Sequence, residues 1–200
     1  PILKDAGIKV IHKCTSIRHA KKAESIGCDI ISVDGFECAG HTGEDDVPNM
    51  VLLAVAAEQL KVPFIASGGI GSGRQLAAAL ALGADGINMG TRFLATKECW
   101  VHDNVKEALV KGTELDTQLI FRRLRNTSRL YKNSVARELA KLDADPTKTF
   151  DDMKHLAAGA KAPAVYEAGD IEAGTWSASG VMGVIHDVPS CAELIQRIVG

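Results

Sequence analysis

Cys38-Ala39-Gly40-His41-Thr42-Gly43-Glu44 holds a histidine between two glycines, shortly after the β-branched run Asp29–Asp34. Glycines on both sides permit positive φ and let the backbone approach a ligand closely. An imidazole held there is available to that ligand, and its ordinary pKa near ~6.5 suits proton transfer at neutral pH. The same heptapeptide also fits a surface turn whose histidine has no role, so its chemistry depends on what stands around it.

Several other groups bear on it. Ser67-Gly68-Gly69-Ile70-Gly71-Ser72-Gly73 follows an apolar run and precedes a helical pattern. Main-chain N–H groups and the positive end of a helix dipole make a phosphate cradle in such a place. Gly90-Thr91, after the next apolar run, adds N–H donors and a hydroxyl. Walker and Rossmann spacings are absent, and either loop alone fits a tight turn, but two on neighbouring strands favour phosphate binding. Lys13 ends another apolar run. It either snorkels to solvent or neutralises buried negative charge on a ligand, such as that at the N1–C2 edge of a reduced flavin. In the second case Lys13 tunes the flavin rather than the fold. Asp34, at the end of its own run, either accepts hydrogen bonds from ribityl hydroxyls or caps a loop.

The elements that must position these residues follow from periodicity. Strand-length apolar runs occur at Ile8–Ile11, Asp29–Val33, Pro63–Ala66 and Gly86–Met89, separated by helical patterns at Ser16–Ile26, Met50–Leu60 and Arg74–Leu82. Alternating strands and helices imply parallel βαβ units. Ser16, Arg18, Gly27 and Asp29 return 56 residues later as Ser72, Arg74, Gly83 and Asp85. The serines fit N-caps and the glycines fit left-handed helix ends. This register aligns Lys13 with Gly69 and Asp34 with Gly90, all at strand C-termini, the rim that carries active sites in (β/α)8 barrels. Four parallel strands leave two unpaired edges and cannot close. The chain therefore reads as the C-terminal half of a (β/α)8 TIM barrel over residues 1–100, with an added helical segment and closing helices over 101–200. Pro1-Ile2-Leu3-Lys4 reads as the tail of a cut helix, and four further units of roughly 30 residues would precede it. A natural half-barrel that pairs with another chain is the alternative.

Composition narrows the class. The 200 residues are 46% hydrophobic with a formal net charge of −2, which gives no global attraction to nucleic acid or an anionic membrane. There is no run of membrane-spanning length and no signal-peptide pattern. The five cysteines contain no C-x-x-C pair, which argues against a disulfide framework or a zinc site and for a reducing, cytoplasmic setting. Glu44, Asp45 and Asp46 are adjacent and do not read as a metal site. Arg122, Arg123, Arg125, Arg129 and Lys132 read as a basic face on a helix, either solvated or in contact with a nicotinamide dinucleotide or with the missing half of the barrel. Asp143 to Ala164 reads as a polar helical excursion, and Trp176 as packing for the last helices or a lining for the barrel mouth.

His12-Lys13-Cys14, Asp34 through Asp46, Ala66-Ser67-Gly68-Gly69 and Asn88 through Leu94 together resemble the nitronate monooxygenase family, formerly 2-nitropropane dioxygenases, and within it the bacterial NADH:quinone reductase branch. The likeness runs from about Ile8 to the end and includes Arg125-Asn126-Thr127 and Trp176-Ser177-Ala178. It implies an FMN-bearing TIM barrel. It also implies that Lys13, Asp34, Ala39, Gly40, Ser67, Gly68, Gly69, Gly90 and Thr91 contact FMN, with His41 at the flavin's reactive edge. Implied substrates are NADH with a quinone, or an alkyl nitronate with oxygen. A flavin-dependent enoyl-acyl-carrier-protein reductase shares the glycine–histidine–glycine loop, and a non-catalytic half-barrel is the alternative from another class.

Overall fold

The computed structural model describes residues 2–157 and 159–200. In chain order the elements are α1 (Ile2–Asp5), β1 (Ile11–Cys14), α2 (Ile17–Ser25), β2 (Ile30–Asp34), β3 (Gly40–His41), α3 (Asn49–Gln59), β4 (Phe64–Ser67), α4 (Gly73–Ala81), β5 (Gly86–Asn88), α5 (Thr91–Leu94), α6 (Asp103–Lys111), β6 (Thr117–Ile120), β7 (Ser128–Tyr131), α7 (Ser134–Ala144), α8 (Phe150–Ala157), α9 (Ala162–Tyr166) and α10 (Cys191–Val199). The helix tail expected at residues 1–4 is described from Ile2 onward. Pro1 lies outside the described residues, as does Ala158 of the expected helical excursion.

β1, β2, β4 and β5 pair in parallel in that order. Helices α2, α3 and α4 connect them, as four consecutive βα units of a (β/α)8 barrel require. Ile31, Val33, Phe64 and Ala66 from the strands pack with Leu52, Leu53 and Ala56 of α3 into the core of this part. The first strand lies three residues later than the apolar run Ile8–Ile11. Its position is set by pairing, with Ile11 opposite Ile30 and Cys14 opposite Val33, while Ile8 and Ile11 stay exposed.

The internal repeat is physical. Ser16 and Ser72 cap α2 and α4 by accepting from the N–H three residues on, and Gly27 and Gly83 end them at φ 94° and 97°. Asp29 then donates its N–H to Val10 O at 2.9 Å and accepts from Val10 N at 2.8 Å. Asp85 makes the same double exchange with Phe64, at 2.8 and 3.0 Å. These aspartates tie each strand's start to the start of its neighbour. They also correct the alignment of strand ends: Val10 corresponds to Phe64, so Lys13 corresponds to Ser67 and not to Gly69. The two-residue difference lies in the longer loop before α4.

The region read as a basic helix is instead an antiparallel hairpin. β6 and β7 pair with each other, and β3 pairs with β7. Arg122, Arg123 and Arg125 lie in the connection, Arg129 in β7 and Lys132 just after it. Charge alternation cannot separate a helix from a hairpin whose turn carries the charges; here Phe121 and Arg125 take positive φ, 59° and 51°, which ends any helix. Ile120, Phe121 and Leu130 pack on Leu139 of α7 and Met153 of α8. Another core joins α5, α6 and the final segment around Leu109, Trp176, Met182 and Ile185. Trp176 is buried there, stacked on Tyr131 with ring centroids 4.2 Å apart. Among the described residues no helix is long and apolar enough to cross a membrane.

The Lys4 ammonium and the Val10 N–H hold the Asp29 carboxyl down to about 2. A depressed carboxylate stabilises the fold above its unfolded pKa near ~4 and loses that contribution as pH falls through the folded value. Asp29→Asn is therefore expected to lower the melting temperature at neutral pH, with the gap to wild type narrowing between about pH 4 and pH 2. A pH series of thermal melts checks this; a pH-independent gap refutes it.

Candidate functional site

Lys13, Asp34, Ala39, Gly40, His41, Ser67, Gly68, Gly69, Gly90 and Thr91 all line two adjoining clefts at the C-terminal rim of the sheet, which share Lys13 and Ala39. Trp176 and the arginines Arg122, Arg123 and Arg129 do not line them. The narrower, about 110 Å³, is lined by Ser67, Gly68, Gly69, Gly90 and Thr91. The wider, about 590 Å³, is lined by Asp34, Gly40 and His41. The clefts lie where β1, β2, β4 and β5 end.

Lys13 and Asp34 form the shared wall. Lys13 Nζ lies 2.8 Å from Asp34 Oδ2, an ion pair by distance. The Asp34 side chain is 0% exposed and that of Lys13 is 58% exposed. The approach does not have hydrogen-bond geometry, and neither Asp34 oxygen accepts a hydrogen bond among the described residues. A fully buried carboxylate that accepts no hydrogen bond is costly unless a donor comes to it, and a ligand with hydroxyl or N–H groups would supply one. The alternative of a loop cap for Asp34 is not met.

The glycine loop is shaped from behind. Asn49 Nδ2 donates to Ser67 O at 2.9 Å and to Gly68 O, and Gln75 holds Gly69 O and Gly71 N. With the carbonyls held by side-chain amides, Gly68 and Gly69 take φ of 83° and 71°. A Cβ on Gly68 would stand 2.7 Å from Cys38 Cβ and 3.0 Å from Gly35 O. Gly90 has open space where its Cβ would be. Thr91 Oγ1 accepts from Ser179 N at 3.2 Å, leaving its own proton to donate. The helix-dipole contribution expected from α4 is not met: Ser72 and Gly73 line a separate hollow, and a Cβ on Gly73 would meet Ile198 O at 3.0 Å. The end of α10 occupies that position.

His41 is exposed. Its backbone is a strand, not a free loop: His41 pairs with Ser128 and Gly40 with Arg129. Glu44 accepts from Thr127 N at 2.8 Å and Thr127 Oγ1 at 2.7 Å, while Asp46 is paired with Arg122, which holds its carboxyl below the usual range. Cys38 also lines the narrow cleft. Burial, with the Asp34 carboxylate adding to it, pushes its thiol up to about 11, so it is not a thiolate at neutral pH.

Sequence reading missed Ser179 and Asn49, and it named Arg129 without its role in holding the loop. Arg129 donates to Phe36 O at 3.0 Å, Cys38 O at 3.2 Å and Thr117 Oγ1 at 2.9 Å, and its guanidinium sits 4.8 Å from the Phe36 ring centroid. Ser179 Oγ donates to Glu37 O at 2.7 Å. The signal for Arg129 was its place in a basic run, which carried no hint of partners some 90 residues away.

A family model for nitronate monooxygenase matches residues 2–200. The chain belongs to the nitronate monooxygenase family. It is 34% identical over 237 residues to the (3aS,4S,5R,7aS)-5-hydroxy-7a-methyl-1-oxo-octahydro-1H-indene-4-carboxyl-CoA dehydrogenase of Rhodococcus jostii, covering 98% of this chain and 65% of that protein. It is 31% identical over 211 residues to a nitronate monooxygenase of Paraburkholderia phytofirmans, covering 98% of this chain and 55% of that protein. The structure of FabK from Thermotoga maritima superposes with a TM-score of 0.91 at 34% identity, covering 98% of this chain and 61% of that one. This family member spans less than two thirds of the length of each of these proteins.

The glycine geometry makes a direct prediction. Gly68→Ala is expected to destabilise the protein by on the order of 1–3 kcal/mol, because positive φ and backbone crowding coincide. Gly90→Ala should melt within about 0.5 kcal/mol of wild type. Denaturant unfolding of both variants checks the contrast.

Proposed function

We propose that this protein is an FMN-dependent oxidoreductase that takes reducing equivalents from NADH and passes them to a quinone. The observation that carries the reading is the meeting, at one rim, of a glycine-lined cleft with the ion pair between exposed Lys13 and buried Asp34. FMN fits these residues: it offers a phosphate to the cradle, hydroxyls to the open lone pairs of Asp34, and an edge that gains negative charge to Lys13. When bound, it would supply two-electron chemistry, accepting a hydride and yielding electrons.

The chain's own residues have distinct tasks in this reading. Main-chain N–H groups of Gly68, Gly69 and Gly90, with the Thr91 hydroxyl, hold the phosphate; Ser67, Ala39 and Gly40 shape the adjoining walls. Asp34 accepts the hydroxyl donors and keeps the Lys13 ammonium over the cleft. Lys13 supplies fixed positive charge where reduction creates negative charge. His41 donates a hydrogen bond to the quinone oxygen as charge develops there.

A second reading is nitronate oxidation with oxygen, favoured by the likeness to the Paraburkholderia enzyme. His41 would then orient the anion or remove a proton from the neutral nitroalkane. The name of the Rhodococcus relative adds a CoA thioester as another substrate class for the same cleft. A non-catalytic scaffold would bind no flavin at all. Protein expressed from its gene is expected to purify yellow, with NADH:quinone activity above its nitronate:oxygen activity; a colourless preparation sinks the flavin reading.

His41→Ala is expected to keep flavin and its reduction by NADH, while quinone-dependent reoxidation falls on the order of 10²-fold. Loss of nitroalkane turnover with unchanged quinone reoxidation favours the second reading. Stopped-flow measurement of the two half-reactions separates them. Lys13→Met is expected to lower the flavin reduction potential. The ion pair also revises the expectation that Lys13 leaves the fold untouched. Removing the ammonium leaves Asp34 buried and alone, so a stability loss of about 1–3 kcal/mol should accompany the change. Redox titration and a thermal melt of the variant check both effects.

A further inference from the structure

We propose that the His41 cleft holds a pyrophosphate subsite, with Arg125 as its anion-binding group. The ligand's identity rests on the function proposed above; the subsite itself rests on charge and geometry. Besides His41, Lys13 and Asp34, this cleft is lined by Thr15 and His19 and by Arg125, Asn126 and Thr127 of the β6–β7 connection.

Charge in this cleft is unevenly used. Its two carboxylates are occupied: Glu44 accepts from Thr127, and Asp34 faces Lys13. The neighbouring arginines are occupied too. Arg122 pairs with Asp46, Arg123 donates to Asp143 O and Lys148 O, and Arg129 holds the carbonyls of Phe36 and Cys38. Arg125 differs. Among the described residues its guanidinium meets no carboxylate and donates no hydrogen bond. Arg18 Nη2 lies 3.3 Å from Nε2 of His19, which is itself a lining residue.

The main chain that presents Arg125 is fixed. Its φ is 51°, in the left-handed region. Its N–H donates to Arg122 O at 3.0 Å, and the next N–H donates to Phe121 O at 3.1 Å. The Glu44–Thr127 bonds then anchor the following residue. A guanidinium held on a rigid turn, with its planar fork free, suits bidentate binding of phosphate oxygens.

The position selects the ligand group. A small nitronate has no second anionic group to set against Arg125. A reduced nicotinamide dinucleotide carries its negative charge on a pyrophosphate remote from the reacting ring, and a CoA thioester carries a pyrophosphate remote from its acyl group. The shared chemistry is the pyrophosphate.

The test is calorimetric titration of the flavin-loaded protein with ADP-ribose and, separately, with CoA. Arg125→Asn is the chosen variant because asparagine tolerates the left-handed backbone. Lys132→Gln removes the same charge from the same hairpin outside the cleft. Wild type is expected to bind at least one probe, Arg125→Asn to bind it ten-fold or more weakly, Arg125→Lys to recover part of the loss, and Lys132→Gln to match wild type. Tighter binding of ADP-ribose assigns the subsite to a dinucleotide, and tighter binding of CoA to a thioester. Absence of binding by wild type, full binding by Arg125→Asn, or an equal loss in Lys132→Gln overturns the proposal. If wild type binds a probe through Arg125 yet oxidises no NADH, the proposed function fails and the subsite stands.

Discussion

The segment between β2 and α3 carries the histidine, and it holds its shape because the second half of the chain bonds to its main chain. Arg129 takes the carbonyls of Phe36 and Cys38, Ser179 takes that of Glu37, and β7 pairs with Gly40 and His41. Thr42 N–H donates to Thr127 O at 3.3 Å. A segment this polar would stay mobile if its carbonyls faced only water. Arg129 is the most connected of these links. Burial pulls its guanidinium below the usual arginine range, yet it stays cationic because arginine does not deprotonate in proteins. Hydrogen bonds to three acceptors and the Phe36 ring offset that desolvation.

The hairpin thereby gives the histidine-bearing loop the rigidity of a sheet. Loops over barrel rims vary freely because the strands below do not depend on them. Here the variation is an added antiparallel sheet that borrows two residues of the loop as its edge strand. The imidazole gains a defined position, and its side chain stays exposed toward the cleft.

The Lys13–Asp34 pair works differently. Its carboxylate is fully buried and its ammonium largely exposed, so the pair is asymmetric in solvation. Buried ion pairs contribute little net stability when replaced together, but either partner alone is expensive. Both oxygens of that carboxylate lack a hydrogen-bond donor among the described residues, which leaves the pair's balance of costs to the Lys13 ammonium. The nearby thiols of Cys14 and Cys38, both pushed up to about 11, are chemically quiet in comparison.

Much of the barrel was legible in the sequence because its signals are local. The caps at Ser16 and Ser72, the left-handed ends at Gly27 and Gly83, and the apolar runs at β2, β4 and β5 each act within a few residues. The convergence of Lys13, Asp34, His41 and the glycine loops followed from one rule, that parallel strands end on the same side. What the sequence could not specify was anything decided by distant partners. The true position of β1 depends on pairing with β2, and the basic run became a hairpin because β7 found Gly40 and His41. The start of α4 packs against the end of α10, where a Cβ on Gly73 would meet Ile198 O. Local composition sets which conformations a segment can adopt cheaply; main-chain and guanidinium bonds formed across some 90 residues select among them, and these exist only in the folded chain.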